Sequence, residues 1–463
     1  MSSSSPSSSS FSSSSSPSIP DDTTNHGNNN NNSGGGDSDP GPSTSRRRRR
    51  RPMNEVLPEP FLEALAIQIA IEASHTHGRL AAAPSIANLF QVCSTWRAIS
   101  RSDHLWQRLT QSIWRRTHRI FDTWHEEFNF WHRTASNFVT GRYAHTSLRC
   151  PFDLDRPHLC RCLTLSDNHL ACGFADGTVR LYDLQTRAHV ITFRPHHVDV
   201  LGPFSRSVSG IIITNSTLVF ATLDGNIYAA DINGPPDTHM ARPGDVLNNG
   251  VLVEFAGSGR WWVGLFAGVP RRAFRVWDAR GEQPDYIGGS LTDPDSVQGW
   301  HMLTDVTEPV GRLRVTTREL AVACTRSRLV VFDLRNPGVL LRELVSRVGF
   351  IVTSLDVSHE AFVIVESRGR ARVRRASTFE PECEEFMVTG TPLRGMIGCM
   401  NLGYVLICAG GHVRLWDVEP GEAHLGLTIN ERIGSGMAMA ANDRHVVVSC
   451  RDTSIHLWDF GVQ

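Results

Sequence analysis

The chain has 463 residues, 40% of them hydrophobic, with 46 lysines and arginines against 47 aspartates and glutamates. That length suits two or three domains, and a net charge of -1 excludes a whole-molecule field that would draw the chain onto nucleic acid or membrane. The ten cysteines show neither zinc-ligand spacing nor the paired framework of a small secreted domain, the first residues lack an apolar signal core, and no run of about 18 apolar residues occurs, so a soluble intracellular protein is expected.

Residues 1–52 are low in complexity: serine-rich at first, then Asn28 to Asn32, Gly34 to Gly36 and a run of six arginines. Such a segment cannot bury enough apolar surface to offset its ordering entropy, and a disordered tail is expected. Arg46, Arg47, Arg48, Arg49, Arg50 and Arg51 suit a nuclear-import signal or a weak phosphate-backbone contact, set against a merely solvated, self-repelling run.

Residues 53–110 read as a small all-α domain. A helical pattern runs from Pro60 to Ala73, with Leu62, Leu65, Ala66, Ile69 and Ala73 on one face and Ala64, Ile67 and Ile71 on the other. One stripe can pack inward; the second would need a partner, which makes this helix a docking candidate. Gly78 to Pro84 is expected as a loop. A second amphipathic helix then places Ile86, Leu89, Phe90, Cys93 and Trp96 on one face. Residues 111–142 read as further helix, with Trp114, Phe121, Trp124, Phe128 and Trp131 along one side for core packing.

From residue 143 to 463 the pattern changes to short strands at regular intervals. Seven segments align: Val179 to Asp183, Ile227 to Asp231, Phe274 to Asp278, Leu329 to Asp333, Ala371 to Arg375, Val413 to Asp417 and Ile455 to Asp459. Each ends in an aromatic–Asp pair or a variant of it, and their last residues lie 42 to 55 apart, near the period of WD-repeat blades. Further strands are expected at Leu170 to Phe174, Leu218 to Thr222, Leu320 to Cys324, Val352 to Val357 and Val446 to Cys450. Asp176-Gly177 and Asp224-Gly225 suit tight hairpins. The last blade lacks an outer strand, and the alternating stretch His145 to Phe152 is expected to supply it, closing seven blades.

No phosphate loop, HExxH helix or nucleophile elbow occurs, so no catalytic residues, metal or cofactor are expected. Cys160 and Cys162 are read as small buried hydrophobes on one strand face rather than as a redox or metal pair. Arginines precede several signature strands: Arg271, Arg272, Arg326, Arg368, Arg370 and Arg451. Equivalent loops gather on one face, and arginine's planar fork suits carboxylate or phosphate, so this rim is a candidate for an acidic or phosphorylated target segment, against a scatter of solvated charges. Arg374 and Arg375 replace the aromatic–Asp pair of the fifth blade.

Leu57-Pro58, Val92 to Arg97 and Asp103 to Trp106 together resemble the F-box motif, although Leu57 to Trp96 is roughly ten residues longer than usual. Asn137-Phe138 and Gly141-Arg142 resemble the link of F-box/WD-repeat proteins. More closely, Leu57 to Leu65, Ser100 to Trp106, Gly173 to Leu181, Gly259 to Pro270 and His456 to Gly461 resemble the plant STERILE APETALA family, from about residue 53 onward. The resemblance implies a nuclear, non-catalytic F-box subunit of a Skp–cullin–F-box ubiquitin ligase that recruits protein targets, transcriptional regulators among them, in flower and organ development. It implies adaptor contacts through Leu57, Pro58, Ala64, Ile67, Ile71, Trp96, Leu105 and Trp106. The competing expectation is a nuclear co-regulator or scaffold whose helices merely cap the propeller. Small-molecule substrates, membrane and direct DNA binding are not expected partners.

Overall fold

A computed structural model describes residues 58–148, 159–196, 202–214, 216–269, 271–281, 284, 286–289, 311–324, 328–345, 352–389, 395–419 and 421–463. The expected tail, the arginine run, Leu57 and Arg326 lie outside these residues, as do residues 149–152 of the expected closing strand.

Seven four-stranded antiparallel sheets form the blades of a β-propeller. In blades one to six the strands run in chain order from the channel outward, and in all seven the signature segment is the third strand. The inner strands are Cys160–Leu165, Val208–Ile213, Val251–Gly257, Arg312–Val315, Val352–Ser358, Ile397–Met400 and Gly436–Ala441, for blades one to seven. The seventh blade takes its outer strand from Ala144–Leu148, which pairs with Ile455–Asp459 in the register Ala144 to Asp459 and Leu148 to Ile455. That closure, expected from the missing strand, removes the unpaired edge of an open ring.

The aromatic–Asp signature has a local cause. The aspartate ends the third strand, and its carboxylate accepts the backbone N–H two or three residues on. Asp183 takes Thr186 at 2.6 Å, Asp231 takes Asn233 at 2.9 Å, Asp417 takes Glu419 at 3.0 Å and Asp459 takes Gly461 at 2.8 Å. Each is an Asx turn that fixes the exit into the next segment. The Asp-Gly hairpins use the same device one turn earlier. Asp176 accepts from the N–H and hydroxyl of Thr178, at 3.0 and 2.7 Å, while Gly177 holds φ 86°. In blade five, Arg375 stands at the aspartate position and pairs with Glu382 at 2.8 Å, while Arg374 donates to the Phe379 carbonyl at 2.7 Å.

Five helices precede the ring: α1 (Glu59–His77), α2 (Ala82–Phe90), α3 (Ser94–Ile99), α4 (Asp103–Ile113) and α5 (Trp124–Thr140). Leu62, Ala66, Ala70, Trp96, Leu105, Trp106, Trp114, Phe128 and Trp131 share one core. Three expectations fail here. Trp96 does not continue the second helix: Cys93 is extended, with φ -161° and ψ 174°, which splits α2 from α3. Residues 111–142 are not one helix, because Trp114 caps α4 and α5 starts only at Trp124, behind a Thr123–Glu126 capping box. The expected Gly78–Pro84 loop is a single 3-10 turn, Arg79–Ala81, that runs straight into α2.

Candidate functional site

The helices sit against one face of the ring only. Arg79, just after α1, bonds the Glu419 carboxylate at 2.6 Å and the Leu402 carbonyl, while its guanidinium lies over the rings of Trp114 and Tyr404 at 5.3 and 5.7 Å. Arg116 stacks 3.8 Å over Trp131 and bridges Asp167 and Asp443 at 2.9 and 3.1 Å. Cation–π contact and ion pairing act together on both side chains, and each shields the other from water. From α5, the Asn137 amide donates to the Phe460 and Val462 carbonyls at 2.8 and 3.0 Å, and Phe138 stacks on Phe460 at 3.8 Å between ring centroids. Gly141 ends α5 in the left-handed region, φ 72°, which turns the chain directly into the closing strand. Asp167, Leu402 and Asp443 all lie in turns between inner and second strands, so the contact belongs to blades one, six and seven.

On α1 the buried line is Leu62, Ala66, Ala70 and Ser74, at strict four-residue spacing. Small residues let this helix approach its neighbours closely, and that outweighs the size of the larger side chains. Leu65, expected inside, is 39% exposed, and Phe61, which hydropathy did not single out, is 52% exposed. Pro58 and Ala64 are exposed as expected of a docking face, whereas Ile67 and Ile71 are half-buried. Trp96, Leu105 and Trp106 are core residues, and the Trp106 indole donates to the Ser100 carbonyl at 2.7 Å. The outward apolar strip is therefore Phe61, Ala64 and Leu65.

The opposite face carries the turns between second and third strands. Arg271, Arg272, Arg368 and Arg451 are exposed there, on blades three, five and seven. Arg272 donates to the Asn248 carbonyl at 3.2 Å and Arg370 pairs with Glu385 at 3.3 Å. Arg271, Arg368 and Arg451 have no side-chain ion pair among the described residues. Arg374 and Arg375 belong to the other end of their strand and are engaged internally, so they do not extend this rim.

Between the faces runs a channel of about 460 Å³, lined by the seven inner strands. Glu254 of blade three pairs with Arg314 and, at 3.5 Å, with Arg312, both of blade four; Arg314 also reaches Asp356 of blade five at 3.5 Å. Burial pushes the Asp356 carboxyl above its ordinary value, against the pull of Arg314. Cys162 also lines the channel, and burial raises its thiol far above the usual range, which leaves it without thiolate character at neutral pH. The inner strand bulges at Arg161, so Cys160 and Cys162 do not alternate regularly. Among the described residues no group of three or more His, Cys, Asp or Glu side chains is placed to hold a metal ion.

A closed seven-bladed propeller, with one face covered by a helical domain and the other uncovered among the described residues, defines a class of protein that works through contacts with other proteins. No family model matches the chain. It is 53% identical over 419 residues to the Transcriptional regulator STERILE APETALA of Arabidopsis thaliana, covering 89% of this chain and 93% of that protein. The chain belongs to the STERILE APETALA family. Among solved structures it is similar to the β-propeller domain of Myceliophteria thermophila Cps50 (Swd1), with 13% identity, a TM-score of 0.49, and coverage of 69% of this chain and 99% of that one. It is also similar to the computationally designed Ika8 protein, with 17% identity, a TM-score of 0.45, and coverage of 66% and 97%.

Proposed function

We propose that this protein is a non-catalytic, nuclear transcriptional co-regulator that brings two protein partners together, acting in flower and organ development. The likeness across 89% of the chain to a protein named as a transcriptional regulator carries this reading. Its mechanism is proximity: one partner is held on the open face of the propeller, another on the outer side of α1, and their effective concentration rises without new chemistry. Arg271, Arg272, Arg368, Arg370 and Arg451 are the residues assigned to an acidic or phosphorylated partner segment, with Arg326 as a further member. Arg46 to Arg51 are assigned to nuclear import. A transcription reporter read in plant nuclei tests the core of this: the Arg271→Glu, Arg368→Glu, Arg451→Glu chain is expected to lose regulation while remaining folded and nuclear. Unchanged regulation by that chain would remove the open face from the mechanism.

A second reading has its own support. The exposed strip of Phe61, Ala64 and Leu65 on α1 suits an adaptor protein, and the resemblance to the F-box motif points to the Skp-type adaptor of a cullin–RING ubiquitin ligase. In that reading the open face selects proteins for ubiquitination. Pull-down of a Skp-type adaptor by the parent chain, lost in Phe61→Asp and Leu65→Asp, favours the ligase; a parent chain that captures none leaves the scaffold.

A further inference from the structure

Among the described residues the charges in the channel do not balance. Three arginines line it, Arg161, Arg312 and Arg314, against two carboxylates, Glu254 and Asp356. Both carboxylates are already engaged: Glu254 by Arg312 and Arg314, and Asp356 by Arg314 and by the Met400 N–H at 2.9 Å. Arg161 is left over. Among the described residues its guanidinium makes no hydrogen bond and no ion pair, and its side chain is half-buried.

Two further polar atoms in the same lining have no hydrogen-bond partner among the described residues: the Ser209 hydroxyl and the Arg312 Nε–H, both buried. The geometry that gathers these groups is repeated around the ring. Near its start, the inner strand bulges at Arg161 in blade one, Ser209 in blade two, Val253 in blade three, Thr353 in blade five and Met437 in blade seven. A bulge re-aims the extra residue and recurs next to functional sites. Arg312 begins the inner strand of blade four and so lies toward the same end. That end is the one away from the helical domain, because the helices contact the opposite turns of the blades. An unpaired cation lining a confined channel, beside buried donors that lack partners among the described residues, favours an anion there.

We propose that this end of the channel binds a small free oxyanion of the phosphate class, gripped by Arg161, with the Ser209 hydroxyl and the Arg312 Nε–H as further donors. The guanidinium fork supplies two parallel N–H bonds to one edge of the ion, and the ion supplies the negative charge that the lining lacks. The occupant joins blades one, two and four across the channel and stiffens the face on which partners are held. This site is independent of the rim arginines and of the partner readings above.

Thermal unfolding of the full chain in inorganic phosphate, against sodium chloride at equal ionic strength, tests the proposal, with isothermal titration of phosphate alongside. The parent is expected to gain stability with rising phosphate, as any ligand of the native state requires. Arg161→Met is expected to bind phosphate at least tenfold more weakly, yet to unfold in chloride no earlier than the parent, since no internal bond is lost. Ser209→Ala should weaken binding less, and Arg161→Lys should keep part of it. Equal stability of the parent in the two salts overturns the site, as does an undiminished phosphate response in Arg161→Met. A response abolished by the rim variant Arg451→Met would also overturn it, by placing the ion on the outer face.

Discussion

His445 illustrates how a single buried side chain writes a pH dependence into the ring. It is 1% exposed at the start of a second strand, and neither ring nitrogen has a hydrogen-bond partner among the described residues. Its Nε2 stands 3.7 Å from the Asp459 carboxylate, too far for a hydrogen bond, while Arg444 grips that carboxylate at 2.8 and 2.9 Å. Burial pushes the His445 pKa down to about 4, more strongly than Asp459 raises it, so the ring is neutral at pH 7. The unfolded chain therefore takes up the proton first. The stability held by neutral His445 is intact above about pH 6.5 and is lost as pH falls from there toward 4. Chemical denaturation should show the parent losing on the order of 2 kcal/mol from this group between pH 7.5 and 5. His445→Leu should lose correspondingly less over the same interval; an identical slope in both would contradict the assignment.

At the scale of elements, Gly210 sits at a close approach between blades two and three. A Cβ there would strike the Phe255 carbonyl, which is backbone and cannot step aside. Gly210→Ala is expected to cost about 3 kcal/mol in urea titration, as overpacking between rigid elements does. The closing strand gives a second case. Leu148 is 5% exposed and packs with Ile455, Leu457 and Val447, so Leu148→Ala should cost about 3 kcal/mol in the same assay.

The strands were legible because their signals are local: an aspartate that caps its own turn, an Asp-Gly hairpin, and a period of hydrophobic residues. The helices were less so. Leu65 and Ile69 rank above Ala70 and Ser74 in hydropathy, yet close packing chose the small residues. An extended Cys93, which no local pattern announces, broke a continuous amphipathic run in two. Arg79 and Arg116 escaped notice altogether, because Glu419 and Asp443 are more than 300 residues away in the chain and only the fold brings them together. The rim arginines could be assigned to one face from repeat phase alone, since equivalent turns share a side. Only the internal engagement of Arg374 and Arg375 required the folded structure.

For the whole molecule, Arg79 and Arg116 decide whether helices and ring behave as one body. Met53–Gln463 is a single compact unit, and these two cations are its main polar ties between helices and propeller. Arg79→Met alone is expected to cost about 2 kcal/mol, because it removes the counter-charge of the half-buried Glu419 carboxylate and leaves it only the backbone N–H of residue 79. Arg79→Met with Arg116→Met should divide one unfolding transition into two and raise hydrogen exchange in α1 and α2 before the blades. A single transition with unchanged exchange would assign the coupling to Asn137 and Phe138 instead.

The seventh blade is assembled from stretches that leave the ribosome more than 300 residues apart. While the chain is being made, the segment Ala144–Leu148 emerges early and has to wait, with its backbone groups unsatisfied, until Ile455–Asp459 arrives. Throughout that interval the nascent protein displays a bare strand edge that neighbouring polypeptides could capture. A premature stop codon anywhere ahead of Ile455 would make the wait permanent, so late truncations should be cleared by cellular quality control as thoroughly as early ones.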